Sequence, residues 1–193
     1  MPATQLATPL LETRRLLLRP LELADASQIQ LVFPQWEIVR YLSNRVPWPY
    51  PPDGALTFIR DDALAAAARG EAWNWTLRLK SDPARIIGGI ELRKNERDNR
   101  GFWLHPEFHR QGFMTEAADT ITAFWFNVLQ FPLLRTSKAV ANVASRRISE
   151  KQGMRIIGHA EREYISGRQP AEIWEITSAE WHARQPDARV FAP

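Results

Sequence analysis

The spacing of apolar residues changes period along the chain, and each change predicts an element. Residues 13–19 read as a first strand, closed by Pro20. Asp25 looks like a helix start, with Ile29, Val32 and Phe33 as a short apolar face. Residues 36–42 read as a second short helix. Pro47, Pro49, Pro51 and Pro52 punctuate a loop that cannot be helix interior. Residues 53–69 are alanine-rich and predict a helix that Gly70 stops. From Ala72 to Leu79 the period is two, with Trp73, Trp75, Leu77 and Leu79 on one face. Ser81-Asp82-Pro83 is a turn. Further strands are expected over 85–93, 99–104 and 134–141. The longest helix is expected over 113–129, and a shorter one over 145–151 that ends at Gly153. Residues 155–165 and 171–176 predict a closing strand pair around Ser166-Gly167. Helices mixed with hairpin-linked and crossover-linked strands point to an α/β or α+β sheet protein. No repeat or low-complexity linker divides the chain, so one domain over residues 1–193 is expected.

Composition narrows the chemistry. Hydrophobic residues make up 45% and charged residues 24%, close to globular averages. The chain has no cysteine, which excludes disulfides, thiolate metal sites and a cysteine nucleophile. The four histidines, His105, His109, His159 and His182, lack zinc spacing, so no metal site is expected. No apolar run reaches the ~20 residues of a membrane span. Residues 1–10 lack the basic start and apolar block of a secretory signal, so a cytoplasmic home is expected. The net charge of +3 suits an anionic ligand as well as a phosphate backbone. No aromatic–basic motif accompanies it, so no nucleic-acid or membrane partner is expected. Eight tryptophans can serve a core or a ligand pocket.

The segment from Gly101 to Ala117 carries the most information. A strand runs into a short loop with Arg110 and Gly112, then into the long helix. The first N–H groups of a helix have no internal partner, and the macrodipole favours an anion there. Gly112 permits close backbone approach or a positive φ. Pyrophosphate is the obvious guest; an ordinary strand–loop–helix connection is the structural alternative. The chain contains neither the P-loop GxxxxGK(S/T) nor the dinucleotide-binding GxGxxG, so a phosphate site here belongs to another cofactor class.

The loop resembles the pyrophosphate loop of the GNAT N-acetyltransferases, specifically their RimJ/RimL-type branch. The family wording is Gln/Arg-x-x-Gly-x-Gly/Ala. Here the frame is His109-Arg110-Gln111-Gly112-Phe113-Met114, with His109 and Met114 as departures. The wider phrase is closer: Trp103-Leu104-x-Pro106-Glu107, then Gly112-x-Met114-Thr115-Glu116-Ala117. A second block, Asn142-Val-Ala-Ser145 to Lys151-Gln-Gly153-Met154, resembles the family's N-x-x-S-x-x-x-x-x-K-x-G-F. Thr13-Arg14-Arg15-Leu16 and Gly88-Gly89-Ile90 fit as well. The resemblance runs from about residue 12 to 181.

The resemblance implies the GNAT fold: a mixed, mostly antiparallel twisted sheet that splays between the strand ending near Leu104 and the strand at 134–141. It implies acetyl-CoA as co-substrate, its pantetheine on the backbone of Trp103, Leu104 and His105. It places the pyrophosphate on the amides of Arg110, Gln111, Gly112, Phe113, Met114 and Thr115, with Arg147 and Lys151 nearby. Asn142 contacts the pantetheine, or caps a helix. Ser145 stands near the sulfur as a proton donor, or is itself a capping serine. Glu163 is the residue proposed to accept the amine's proton, with Glu161 on the same strand face. An ammonium has no lone pair and cannot attack a thioester, so some such group is needed. Trp36, Tyr41, Trp73, Trp75 and Glu91 are candidate liners of an acceptor pocket, with core packing as the alternative for Trp73 and Trp75. The implied activity is direct acetyl transfer to a primary amine, a protein N-terminus or a small molecule, in a ternary complex. A non-catalytic CoA-binding protein is the alternative. Homodimers are common in the branch and are an expectation here.

Overall fold

The structure is a computed structural model that describes residues 6–184. The ends of the tails, residues 1–5 and 185–193, lie outside it. Five strands form the first sheet in the order β1 (Leu11–Glu12), β2 (Leu16–Pro20), β3 (Ala72–Leu79), β4 (Gly88–Arg93) and β5 (Arg100–Leu104), all antiparallel. Three more form a second sheet in the order β6 (Leu133–Ala139), β8 (Gly167–Thr177) and β7 (Arg155–Tyr164). The expected mixed fold with a splay is therefore observed. At one end the sheets touch. Asn99 donates its N–H to the Arg135 carbonyl at 2.7 Å, and its side-chain Oδ1 accepts the Arg135 N–H at 2.8 Å. One bond further, Thr136 Oγ1 reaches the Arg100 carbonyl at 3.3 Å. Beyond that point no ladder joins β5 to β6, and the strands part.

Two helical layers cover the first sheet. On one side lie α1 (Ala26–Val32), α2 (Trp36–Val39), α3 (Gly54–Thr57) and α4 (Leu64–Ala68); Ile29 and Val39 of these helices, with Phe33 just after α1 and Ile59 between α3 and α4, pack with Ile86 and Trp103. On the other lies α5 (Phe113–Ala123), which buries Ala117, Ala118 and Ile121 against Leu16, Trp75 and Ile90. The same core takes Leu134, Trp174 and Ile176 from the second sheet. The second sheet carries α6 (Val143–Lys151), and the described chain closes with α7 (Ser178–Arg184). None of the described helices is long and apolar enough to cross a membrane.

Strand β3 starts and stops where its alternation says, but it is buried on both faces. Trp73 and Trp75 are only 3% and 2% exposed, packed edge-on against Phe124 at 6.4 and 5.6 Å. The opposite face buries Asn74, Thr76 and Arg78 under the α1–α4 layer. Arg78 is compensated by Asp25 at 2.6 Å and by the carbonyls of Pro83 and Ala84. Removing one partner of such a pair costs about 3–5 kcal/mol. Those bonds also shorten the next strand, expected from residue 85 and observed from Gly88. The Gln28 side chain takes the Ile86 N–H, while Ile87 still bonds to the Leu77 carbonyl at 2.9 Å, so the irregularity lies at 85–86.

Both long helices deviate from the expected single span. A π-helical turn at Phe58–Ala63 separates α3 from α4, and another at Phe124–Val128 follows α5. In the second, three consecutive aromatics are buried: Phe124 and Trp125 face β3, while Phe126 meets Trp181 of α7 at 6.1 Å. All three belong to the same core as Trp73 and Trp181. The helix α7 was not expected, yet Thr177 and Glu180 form a reciprocal cap at its start.

Candidate active site

The start of α5 is open. Gly112 precedes it at φ 81°, and no side chain caps the helix. Arg110 also has positive φ, 61°. The first N–H groups of the helix therefore face outward without a partner from the helix itself. Phe113 and Met114 are buried in the core, so only their backbone meets the loop surface. That disposes of the bulk of Met114, which stands where the family places a small residue. Arg15 reinforces the positive field. Its guanidinium donates to the Gln111 carbonyl at 3.0 Å, lies 4.3 Å over the Phe113 ring, and is fixed by Glu116 at 2.7 Å. Sequence reasoning placed Arg15 in a strand and missed this. The uncapped amides and the arginine fit a pyrophosphate.

Next to this loop the edge of β5 faces the splay. The Leu104 carbonyl points there and meets the His109 ring at 2.9 Å. His105 does not fit the expected backbone role: its N–H is committed to the Ile87 carbonyl at 2.8 Å. Trp103 pairs with Gly89 on the β4 side, so strand alternation turns its amide away from the splay as well. Of the three expected pantetheine contacts, Leu104 alone has the right direction. Trp103 contributes its ring instead, lying across Gly89, where a Cβ would approach Nε1 to 2.6 Å, and against Phe33 at 5.4 Å.

The start of α6 is closed. Asn142 Oδ1 accepts the Ser145 N–H at 3.2 Å, so Asn142 is the N-cap. Ser145 is buried, and its hydroxyl accepts a hydrogen bond from Lys138 Nζ at 2.7 Å. Lys138 projects from β6 and lies 4.9 Å over the Phe102 ring of β5, so it spans the splay. Burial and the neighbouring Arg100 push its ammonium down to about 7, against the pull of Asp98. Arg100 is itself buried, bonded to the neutral Thr122 and Gln152 at 2.9 and 2.7 Å, and burial lowers it to about 10. Sequence reasoning did not single out Lys138. Its signal was parity: Lys138 shares a strand face with Leu134, which is fully buried.

Two groups of expected residues are corrected. Trp73 and Trp75 do not line a pocket; they are core, and their indole N–H groups are spent on the carbonyls of Leu6 and Pro9. Glu163 and Glu161 are exposed and stand 3.9 Å from Arg168. Register gives the distance from Glu163 to Lys138. Lys138 pairs with Glu172, which pairs with His159, four residues before Glu163. Two strand spacings and four residues separate the positions by about 16 Å. Glu163 therefore does not reach Lys138 directly or through one water.

The opposite face of the second sheet holds other polar groups. The buried Tyr164 hydroxyl, Ser137 hydroxyl and Arg162 Nε have no hydrogen-bond partner. Burial raises the Tyr164 hydroxyl, and Asp98 adds to that. Asp98 is solvent-accessible, but the protein around it lifts its carboxyl to about 6. Tyr164 packs with Ala139, Ala171 and Tyr41, and Ser43 forms a β-bridge to it. The segment after α2 thus reaches the final hairpin. Glu91 lies over Gly101 and is held by Arg93 at 2.9 Å. Trp36 packs against Trp48 in a tilted arrangement, ring centroids 5.9 Å apart, both near 40% exposed. Arg147 and Lys151 are exposed along α6. A hollow of about 620 Å³ lies elsewhere, by Lys94, Trp125 and Phe131. Among the described residues no group of three His, Asp or Glu is placed to hold a metal.

Known proteins share this architecture. An acetyltransferase (GNAT) domain model matches residues 15–155. The uncharacterized N-acetyltransferase YoaA of Bacillus subtilis is 30% identical over 151 residues, 75% of this chain and 82% of YoaA. Among solved structures, a ribosomal-protein-S5-alanine acetyltransferase from Vibrio fischeri superposes with a TM-score of 0.76 at 15% identity, over 90% of this chain and 98% of that one. Mycobacterium smegmatis RimJ, in complex with CoA-disulfide, does so with 0.73 at 17% identity, over 90% and 88%.

Proposed function

The chain belongs to the acetyltransferase (GNAT) family, and from that premise we propose that it moves an acetyl group from acetyl-CoA directly to a primary amine. The acceptor is an amine on a protein N-terminus or a small molecule. One observation carries the reading: an uncapped helix start, backed by Arg15, opens beside the splay that Lys138 and Ser145 line.

Acetyl-CoA supplies the electrophilic carbonyl and the thiol leaving group. The amides from Arg110 to Thr115 hold the pyrophosphate, and Leu104 orients the arm that follows. Ser145 donates a hydrogen bond toward the departing sulfur. Asp98 accepts the amine's proton through water, since the carboxylates at 161 and 163 stand two strands away from Lys138. Tyr164, Ser137 and Arg162 offer unfilled polar groups to the acceptor, with Tyr41 and Glu91 at the pocket's edge.

Calorimetric titration with acetyl-CoA at physiological salt tests the first half. One-site binding at micromolar affinity is expected. A screen of peptides and amines for thiol release tests the second. A folded protein that does not bind acetyl-CoA overturns the reading.

A further inference from the structure

We propose that Lys138 is a positioning residue and proton source for Ser145, so that the pair meets the sulfur as it becomes anionic. This rests on the acetyl-CoA reading above.

Three observations carry it. First, a charged lysine can only donate. With Lys138 Nζ donating to Ser145 Oγ at 2.7 Å, the serine's single hydrogen is turned elsewhere. Among the described residues it has no protein acceptor, so it is available to the splay. Second, Lys138 and Arg100 are two buried cations, and neither is hydrogen-bonded to a carboxylate. The facing carboxylates are engaged or act at a distance: Glu172, opposite Lys138 on β8, is taken by Arg146 at 2.7 Å and by Trp174 at 3.1 Å, Asp119 accepts from Gln152 at 2.9 Å and reaches Arg100 through its field, and Asp98 acts on both cations through its field. Buried positive charge without a bound anion is costly and marks a place where negative charge arrives. Third, the Asn142 cap and the Phe102 ring hold the two side chains in register across the splay.

The proton count closes. As the N–C bond forms and the C–S bond breaks, Ser145 Oγ–H passes its proton to sulfur. Lys138 Nζ–H replaces it on Oγ. The amine loses one proton to water by way of Asp98, and Lys138 recovers one from solvent after the thiol departs. No redox partner is required.

The test compares CoA with desulfo-CoA by calorimetry at pH 6.5, below the value near which Lys138 loses its proton, in the wild type, Lys138→Met, Ser145→Ala and the double variant. A thiol of pKa about 8.5 is readily shifted by a buried cation. The wild type is expected to prefer CoA by about fivefold or more, as befits a charge-assisted contact. Each single variant loses that preference while desulfo-CoA affinity stays within about twofold, and the double variant loses no more than either single one. With any amine that supports turnover, Lys138→Met lowers kcat by about tenfold and leaves KM for acetyl-CoA within about threefold. An unchanged CoA preference in Lys138→Met overturns the role of Lys138. Failure of both CoA and desulfo-CoA to bind the wild type overturns the acetyl-CoA reading instead.

Discussion

The starts of α5 and α6 flank the same splay and are built in opposite ways. At α5 the chain withdraws its side chains: Gly112 has none, Phe113 and Met114 turn inward, and no cap fills the amides. At α6 it adds them: Asn142 caps, Ser145 sits three residues on, and Lys138 bonds to it. An open helix start receives charge that comes from outside. A capped one spends its amide on fixing a hydroxyl. The difference teaches where binding ends and chemistry begins.

Substitution at the two starts should separate those roles. Gly112→Val forces a β-branched residue to φ 81°, which costs about 1–2 kcal/mol or more before any ligand is crowded. Acetyl-CoA affinity should fall by at least about thirtyfold by calorimetry, with the far-UV spectrum kept. An affinity within threefold of wild type would move the pyrophosphate elsewhere. Asp98→Asn should lower kcat by about tenfold or more. It should also erase the acid limb of the wild-type pH–rate profile. Ionised Asp98 is the competent form, so activity is lost as pH falls through about 6. A limb that persists in the variant would reassign the base. Asn142→Ala should cost about 1 kcal/mol of stability in urea unfolding and lower kcat a fewfold, leaving acetyl-CoA affinity within about twofold. Loss of affinity instead would mean that both helix starts bind. The smallest effect is expected at Glu163→Gln, with turnover within about twofold of wild type, because the carboxylate is about 16 Å from Lys138 by register. A tenfold loss there would restore it as the base.

The binding half was legible in the sequence because it is written in backbone terms. A glycine before a helix, and a strand that ends at a proline, survive translation into structure almost unchanged. The core under α5 was legible too, through alternation in β3. What was not legible depends on pairing across the chain. Lys138 becomes chemical only when β6 faces β5 and α6 folds back over it. Glu163 stands at a family position, yet the order β6–β8–β7 carries it two strands from the splay. The π turns leave no glycine or proline as a sign. The cap of α7 did leave one, the Thr177-to-Glu180 spacing, and it was overlooked.

The junction of the sheets has a thermodynamic corollary. Asn99 and Arg135 tie the two arms at one end, while the other end is held apart without a ladder. A molecule that bonds to both arms supplies the missing crosslink. Binding only to the closed native form, it stabilises that form by about 2.7 kcal/mol at a hundredfold excess over its Kd. For a domain whose whole stability is about 5–15 kcal/mol, that is a large share. On the acetyl-CoA reading proposed above, the co-substrate is also part of the scaffold, and at that excess it lowers the unfolded fraction about a hundredfold.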